Sequence, residues 1–187
     1  MAQISIMGLA GNLSPVSKTR NFVETALSRA ATRVEARTGV IDIAGFGAEL
    51  GVARSLADFS PAGRARIDRL LTADALIVAT PVYKGSYPGL FKHLIDLLDT
   101  TAFLHKPVLL ASVGGGDRHA LAVEHQLRPL FAFFEARVLA TAIHVSDRDF
   151  SDGALRSDTA LTRLDRALGE FEAIFPAARK TRQALSA

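Results

Sequence analysis

The sequence predicts an α/β fold with a doubly wound, five-stranded parallel sheet in the strand order 2-1-3-4-5. Short apolar runs alternate with helical patterns along the chain, which is typical of a parallel sheet covered by helices on both faces. The run at residues 75–79 is β-branched and unalternated, as expected of a strand that is buried on both faces. Of the two common doubly wound orders, the one with five strands uses every predicted strand.

The strands are predicted at residues 3–7, 39–43, 75–79, 108–113 and 138–145. Helices are predicted at residues 18–37, 61–71, 90–98, 119–134 and 156–175. Residues 44–60 are rich in glycine and alanine and show no clear pattern. We expect a single domain over residues 1–187, with a mobile tail at 176–187.

The composition excludes several classes of protein. The chain has 187 residues, 49% of them hydrophobic, so it can bury a sizeable core and is not disordered. It contains no cysteine, which excludes disulfides and thiolate metal sites. Its 22 basic residues are scattered rather than clustered, which argues against nucleic-acid binding. We find no signal peptide and no apolar run that could span a membrane, so we expect a cytoplasmic protein.

The loop after the first predicted strand combines small residues with hydrogen-bond donors. A helix begins near Lys18, and the free N–H groups and positive dipole end of a helix start favour an anion. The lysine adds a full charge. The predicted phosphate site consists of Gly11, Asn12, Ser14, Ser17, Lys18 and Thr19. The alternative is an ordinary helix N-cap formed by Ser14 or Ser17.

The loop at residues 80–90 follows the third predicted strand and contains two prolines, two glycines and two tyrosines. Its stiff backbone, aromatic rings, lysine and serine suit a flat polar ring. Ligands of open α/β sheets bind at the carboxyl ends of the strands, where this loop lies. The residues assigned to such a ring are Pro81, Val82, Tyr83, Lys84, Ser86 and Tyr87. The alternative is an ordinary connection between a strand and a helix.

The fourth predicted strand ends in three consecutive glycines, Gly114, Gly115 and Gly116. Glycine is needed where the backbone approaches a ligand closely or adopts a positive φ angle. A flat ring lying along this backbone and accepting its N–H groups would explain the run. The alternative is a plain surface turn. The predicted strand order brings this loop and the other two to one point of the sheet.

A proline interrupts the fifth helical pattern. Pro129 cannot donate to the carbonyl of His125, and its ring crowds that carbonyl. The helix is therefore expected to break one turn ahead of the proline, and a π-type bulge at His125 would relieve the break. The alternative is a surface histidine on a helix that is merely kinked by proline.

Taken in order, these blocks resemble the NAD(P)H-dependent FMN reductases. Residues 80–96 resemble the flavin loop of that family and look closest to the reductase components of alkanesulfonate and methanesulfonate monooxygenase systems. The resemblance covers about residues 4–175 and implies a flavodoxin-like fold. It places the FMN phosphate on Gly11, Asn12, Ser17 and Thr19, and the flavin ring between residues 81–84 and 114–116. Leu13 stands where relatives often have proline.

The resemblance also implies an activity and an assembly. NADH or NADPH would reduce FMN, a loosely held substrate, and reduced FMN would pass to a partner monooxygenase in sulfonate desulfonation. In relatives of this branch, an inserted aromatic residue or histidine forms a π-bulge at a subunit interface, and His125 matches that insertion. We therefore expect a homodimer or a homotetramer.

No side chain is expected to act as a general acid or base, because the hydride would pass directly to the flavin. The histidines form no cluster at ligand spacing, so we predict no metal. Two alternative functions stay open. One is a quinone or azo reductase of the same fold that keeps FMN bound. The other is a flavodoxin-like electron carrier, which the basic pI of about 9.6 disfavours.

Overall fold

A computed structural model describes residues 3–175 of the chain. The predicted tail at 176–187 lies outside these residues. The strands are β1 (Ser5–Ala10), β2 (Arg37–Asp42), β3 (Ala75–Pro81), β4 (Pro107–Gly114), β5 (Arg137–Val138), β6 (Ile143–Ser146), β7 (Phe150–Ser151) and β8 (Ala154–Leu155). The α-helices are α1 (Lys18–Val34), α2 (Ala48–Val52), α3 (Pro61–Thr72), α4 (Gly89–Asp96), α5 (Arg128–Phe133) and α6 (Asp158–Ile174).

The main sheet is parallel and has the order β2-β1-β3-β4-β5, which confirms the predicted fold class. Every residue of β3 and of β4 is buried. Alternate residues of these strands enter two separate cores, one on each face of the sheet. Leu76 and Val78 belong to one core, and Ile77 and Ala79 belong to the other. The apolar run at residues 75–79 is therefore buried on both faces of the sheet, as predicted.

The predicted fifth strand is divided, which corrects the expected span of 138–145. Both β5 and β6 pair with β4, and the residues between them leave the ladder. The N–H groups of Ala140 and Thr141 donate to the Glu170 carboxylate at 2.8 and 2.9 Å. The Arg128 guanidinium donates to the Leu139 carbonyl at 3.1 Å. Side chains of α6 and α5 thus satisfy backbone groups that a continuous strand would have paired.

The predicted helix at 119–134 is also wrong in extent. Residues Asp117–His119 form a 3-10 turn, Val123–Leu127 form a π-helical turn, and only Arg128–Phe133 are α-helical. The unclear stretch at 44–60 contains α2 and two 3-10 turns. Other element ends differ from prediction by a few residues. For example, α1 ends at Val34 because Glu35 adopts the left-handed conformation with φ 51°.

A short hairpin that we did not predict joins β7 to β8. Its turn residues, Asp152 and Gly153, have φ angles of 50° and 76°, which is the pattern of a two-residue turn of type I′. Asn21 of α1 donates to the Gly153 carbonyl at 2.7 Å. The hairpin therefore fixes the chain that leaves the sheet against the first helix.

Candidate functional site

A cavity of about 270 Å³ opens where β1, β3 and β4 end. The three unusual loops of the sequence meet there, as the strand order requires. The lining residues are Asn12, Ser14, Val16, Ser17, Lys18, Thr19, Pro81, Val82, Tyr83, Val113, Gly114, Gly115 and Asp147. Two larger clefts within residues 3–175, one beside Arg37 and Arg69 and one beside Arg163 and Arg166, hold none of the predicted site residues.

The first loop packs tightly against the end of β3. The N–H of Gly11 donates to the Ala79 carbonyl at 2.8 Å. A Cβ atom at Gly11 would lie only 2.8 Å from Cγ2 of Thr80, so no larger residue fits without a shift. Asn12 is buried, and its Nδ2 donates to the Ser14 carbonyl at 2.8 Å. Its Oδ1 has no hydrogen-bond partner within residues 3–175 and is therefore free to accept from a ligand.

The start of α1 forms the polar end of the cavity. The Ser17 hydroxyl accepts from the N–H groups of Thr19 and Arg20 at 3.1 and 3.5 Å, so Ser17 is the N-cap of the helix. The alternative given above, an ordinary helix N-cap formed by Ser17, thus describes the contacts of this serine. The Lys18 ammonium lies 2.8 Å from the Asp147 carboxylate, and both side chains line the cavity. Lys18 is therefore already paired by a residue that the sequence analysis did not assign to the site.

The second loop is a tight turn between Tyr83 and Ser86, whose N–H groups and carbonyls bond each other at 2.7 and 3.1 Å. The two central residues, Lys84 and Gly85, have positive φ angles of 52° and 87°. Tyr83 is about half exposed and faces the cavity. Lys84 lies at the exposed tip of the turn and not in the cavity lining.

Two other predicted residues of this loop face away from the cavity lining. The Ser86 hydroxyl donates to Oε1 of Gln126 at 3.0 Å. Because Gln126 belongs to the π-helical turn, this bond joins the turn to the second loop. The Tyr87 ring packs against Phe91 of α4, with ring centres 5.7 Å apart. Ser86 and Tyr87 therefore hold the second loop in place through contacts outside the cavity lining.

The third loop, which contains Gly114, Gly115 and Gly116, lies close to the His144 ring. A Cβ atom at Gly114 would lie 3.1 Å from the His144 ring, whereas one at Gly115 would meet no atom within 4 Å. Gly115 is exposed and lines the cavity, and Gly116 does not line it. None of the three has a positive φ angle, so close approach is the feature that glycine provides here.

His144 connects the third loop to β4. Its Nε2 lies 3.2 Å from the Gly116 carbonyl, and its Nδ1 lies 2.8 Å from the Ser112 hydroxyl. A carbonyl only accepts, so Nε2 carries the proton and Nδ1 accepts from the hydroxyl in the neutral ring. Burial lowers the pKa of His144, and the Gly116 carbonyl opposes this only in part. The ring is thus held neutral behind the glycines.

The π-helical turn lies beside the cavity loops. The N–H of Arg128 donates to the Val123 carbonyl, which is five residues earlier and gives the wider ring of a π-helix. His125 lies in the middle of this turn and is exposed. Pro129 follows at the start of α5. The turn therefore falls one turn ahead of the proline, where the missing N–H frees the His125 carbonyl.

Ten of the fifteen predicted binding residues line the cavity. Those outside the lining are Gly11, Lys84, Ser86, Tyr87 and Gly116. Val16, Val113 and Asp147 also line the cavity and were not predicted from the sequence. Asp147 follows β6, so the rule that ligands bind at carboxyl strand ends could have found it, had that strand been delimited correctly.

These residues fit FMN. The polar end offers a lysine and the start of a 17-residue helix to a phosphate. The other end offers open space above Gly115 and a half-exposed tyrosine ring, and the unpaired Asn12 Oδ1 can accept from a hydroxyl group between the two ends.

Within residues 3–175, no three His, Asp or Glu side chains cluster as metal ligands. In the same range, no helix has the length and apolar character needed to cross a membrane.

Comparison with known proteins gives the family. The model of the family described as NADPH-dependent FMN reductase matches residues 4–149. The NADH-dependent FMN reductase SfnF of Pseudomonas fluorescens is 36% identical over 172 residues, covering 92% of each chain. The FMN reductase (NADPH) of Pseudomonas aeruginosa is 35% identical over 170 residues, covering 91% of each chain.

A solved structure of an oxidoreductase from Corynebacterium diphtheriae superposes with a TM-score of 0.84 at 27% identity, and covers 94% of this chain and 98% of its own. The apo form of an NADH:FMN oxidoreductase (EMOB) superposes with a TM-score of 0.75 at 29% identity, covering 91% of this chain and 89% of its own. The family match spans the three loops, the π-helical turn and the sheet that positions them. The chain therefore belongs to the family of NAD(P)H-dependent FMN reductases.

Proposed function

We propose that this chain transfers a hydride from NADH or NADPH to FMN in the cavity at the ends of β1, β3 and β4. The observation that carries the proposal is the convergence of a polar helix start and an open glycine backbone in one cavity of an FMN reductase fold. The proposal continues to a partner monooxygenase, which would receive the reduced flavin in sulfonate desulfonation. The resemblance to the sulfonate-utilisation branch supports that second step.

Different residues of the cavity would hold different parts of FMN. Lys18 and the positive dipole end of α1 would hold the phosphate, and Gly115 and Tyr83 would border the ring. FMN, when bound, supplies the ring that accepts the hydride. The open space where Gly115 lacks a Cβ would let the ring approach this backbone, whose N–H would then donate to the ring's polar edge and stabilise negative charge there.

The proposed transfer uses no side chain of the cavity as a general acid or base. Among its lining residues in the described part of the chain, only Lys18, Tyr83 and Asp147 are ionisable, and the first and last of these pair with each other. A direct hydride transfer needs no proton shuttle, so orientation of the two reactants is the main contribution of the protein.

The simplest experiment measures NADH and NADPH oxidation by the purified protein with and without added FMN. The proposal expects a colourless protein whose oxidation rate depends on added FMN. A yellow protein that reduces quinones or azo compounds without added FMN would support the quinone or azo reductase instead. A yellow protein that exchanges single electrons but does not oxidise NAD(P)H would be an electron carrier.

We further propose that the π-helical turn keeps FMN exchangeable and lies at a contact between subunits. His125 is exposed at its centre, and the exposed side chains of Leu121 and Phe133 flank it. The Ser86–Gln126 bond gives the turn a direct connection to the second loop. A change in the turn would therefore shift one wall of the cavity.

Deletion of His125 tests both parts of this proposal. The deletion should restore regular helical phase, change the oligomer size and leave FMN bound after purification. His125→Ala is the matched control and should act more weakly, because it keeps the additional backbone residue. A folded deletion variant that stays colourless, with unchanged oligomer size and FMN reduction, would contradict the proposal.

A further inference from the structure

Asp147 shares the phosphate end of the cavity with Lys18, although it comes from a fourth loop. Its Oδ1 lies 2.8 Å from the Lys18 ammonium. A hydrogen bond next to Asp147 shapes the loop that carries it, because the Asp149 carboxylate accepts from the Ser146 N–H at 2.8 Å. The Asp147 carboxylate therefore lies where a phosphate group would need the same ammonium.

The pair is accessible to solvent, with side chains that are 40% exposed for Lys18 and 61% exposed for Asp147. Exposed ion pairs contribute little free energy and exchange partners readily. A phosphate that binds Lys18 must either displace Asp147 or share the ammonium with it, and in both cases the carboxylate remains nearby as a like charge. Both effects lower the affinity for a phosphate and have no bearing on a ligand that lacks one.

We infer that Asp147 sets the affinity for FMN by competing with its phosphate for Lys18. This inference rests on the proposed function, in that FMN must bind in this cavity. Within that function it gives Asp147 a positioning role. The residue holds Lys18 while the cavity awaits a ligand, and it favours release of FMN after reduction. An enzyme that supplies its product to another protein needs such release.

The test compares the affinities of wild type and Asp147→Asn for FMN and for riboflavin, measured by quenching of flavin fluorescence. The variant should bind FMN about fivefold more tightly at low salt, because asparagine does not compete as an anion. Its affinity for riboflavin should stay unchanged. The gain should shrink at high ionic strength, since exposed charges are screened.

Two further variants keep the result specific. Asp152→Asn makes the same change of charge in the exposed hairpin turn, outside the cavity lining, and should leave both affinities unchanged. In a Lys18→Ala background only the like-charge repulsion remains, so Asp147→Asn should tighten FMN binding less than it does in the wild-type background. An equal gain in both backgrounds would overturn the competition for Lys18.

Failure of the inference is distinguishable from failure of the proposed function. If wild type binds and reduces FMN but Asp147→Asn has wild-type affinity, only the inference is overturned. If riboflavin gains as much as FMN, the inference is likewise overturned, because the effect does not depend on the phosphate. If wild type binds no FMN, both are overturned.

Discussion

The two ends of the cavity are built differently. At the end proposed for the phosphate, side chains line the cavity, but they are already engaged. Ser17 caps its own helix, and Lys18 pairs with Asp147. At the end proposed for the ring, the Gly115 backbone and the Tyr83 ring line the cavity, and side chains outside the lining hold their loops in place. His144 supports the glycine loop, and Gln126 holds the tyrosine loop through Ser86.

The two ends of the cavity should therefore influence flavin binding in different ways. Charges at the phosphate end can exchange one partner for another at small cost, so binding there should be graded and sensitive to salt. The ring end has little freedom, because each loop is fixed by hydrogen bonds and packing. Substitutions there should change whether the flavin fits, and ionic strength should matter little. Four predictions test this contrast, from the largest effect to the smallest.

Gly115→Val should have the largest effect. A Cβ atom at Gly115 would meet no protein atom within 4 Å, so the protein should fold normally while the valine occupies the space above the loop. We expect FMN-dependent turnover to fall about 100-fold, as misplacement of reactants commonly costs. The measurement is kcat/KM for FMN. Gly51→Val, at another open glycine in α2, should retain wild-type kinetics and serves as the control.

Lys18→Ala should weaken FMN binding about tenfold, which is near the lower limit for a charged hydrogen bond, because Lys18 is partly exposed and already paired. Titration with FMN and riboflavin at two salt concentrations measures this loss. Riboflavin should be unaffected, and the loss for FMN should be smaller at high salt. An equal loss for both flavins would contradict the proposal that the FMN phosphate binds at this end of the cavity. Ser17→Ala is less clean, because loss of the N-cap also costs about 1 kcal/mol of stability.

Tyr83→Ala should raise the KM for FMN about fivefold, through loss of an aromatic wall. The change should be insensitive to salt, in contrast to Lys18→Ala. Tyr83→Phe keeps the ring and should behave as wild type. If Tyr83→Phe is as impaired as Tyr83→Ala, the hydroxyl rather than the ring carries the effect.

His144 should give the smallest effect, seen in the pH dependence of stability. Burial lowers its pKa below the ordinary value of 6.5, so the folded chain favours the neutral ring. As the pH falls below 6.5, the unfolded chain takes up the proton first, and the free energy of unfolding therefore decreases until the folded ring is protonated too. Urea denaturation at a series of pH values measures the slope. His144→Gln should flatten it, and an unchanged slope would contradict this role.

The sheet could be predicted because its signals are local and redundant. Buried strands such as β3 and β4 are continuous apolar runs, and the loops after them are rich in glycine and proline. The predicted order then placed the three loops together without any knowledge of contacts. Ten predicted residues line the cavity for that reason.

What could not be predicted depends on partners that are distant in sequence. The break between β5 and β6 arises because Glu170, from the last helix, binds backbone N–H groups of Ala140 and Thr141. The role proposed for Asp147 depends on its contact with Lys18, which is 129 residues away. The hairpin at Asp152 and Gly153 is different, because an Asp-Gly pair is a known turn signal and could have been read.

The complete burial of β3 has a consequence for measuring these effects. Its amide groups lie between β1 and β4 in the centre of the sheet, so hydrogen–deuterium exchange there should require unfolding of the whole molecule. Amides of the exposed turn at Lys84 and Gly85 should exchange through local opening alone. Exchange in β3 therefore reports the global stability of each variant, and exchange in the turn reports local opening of the second loop, from a single sample.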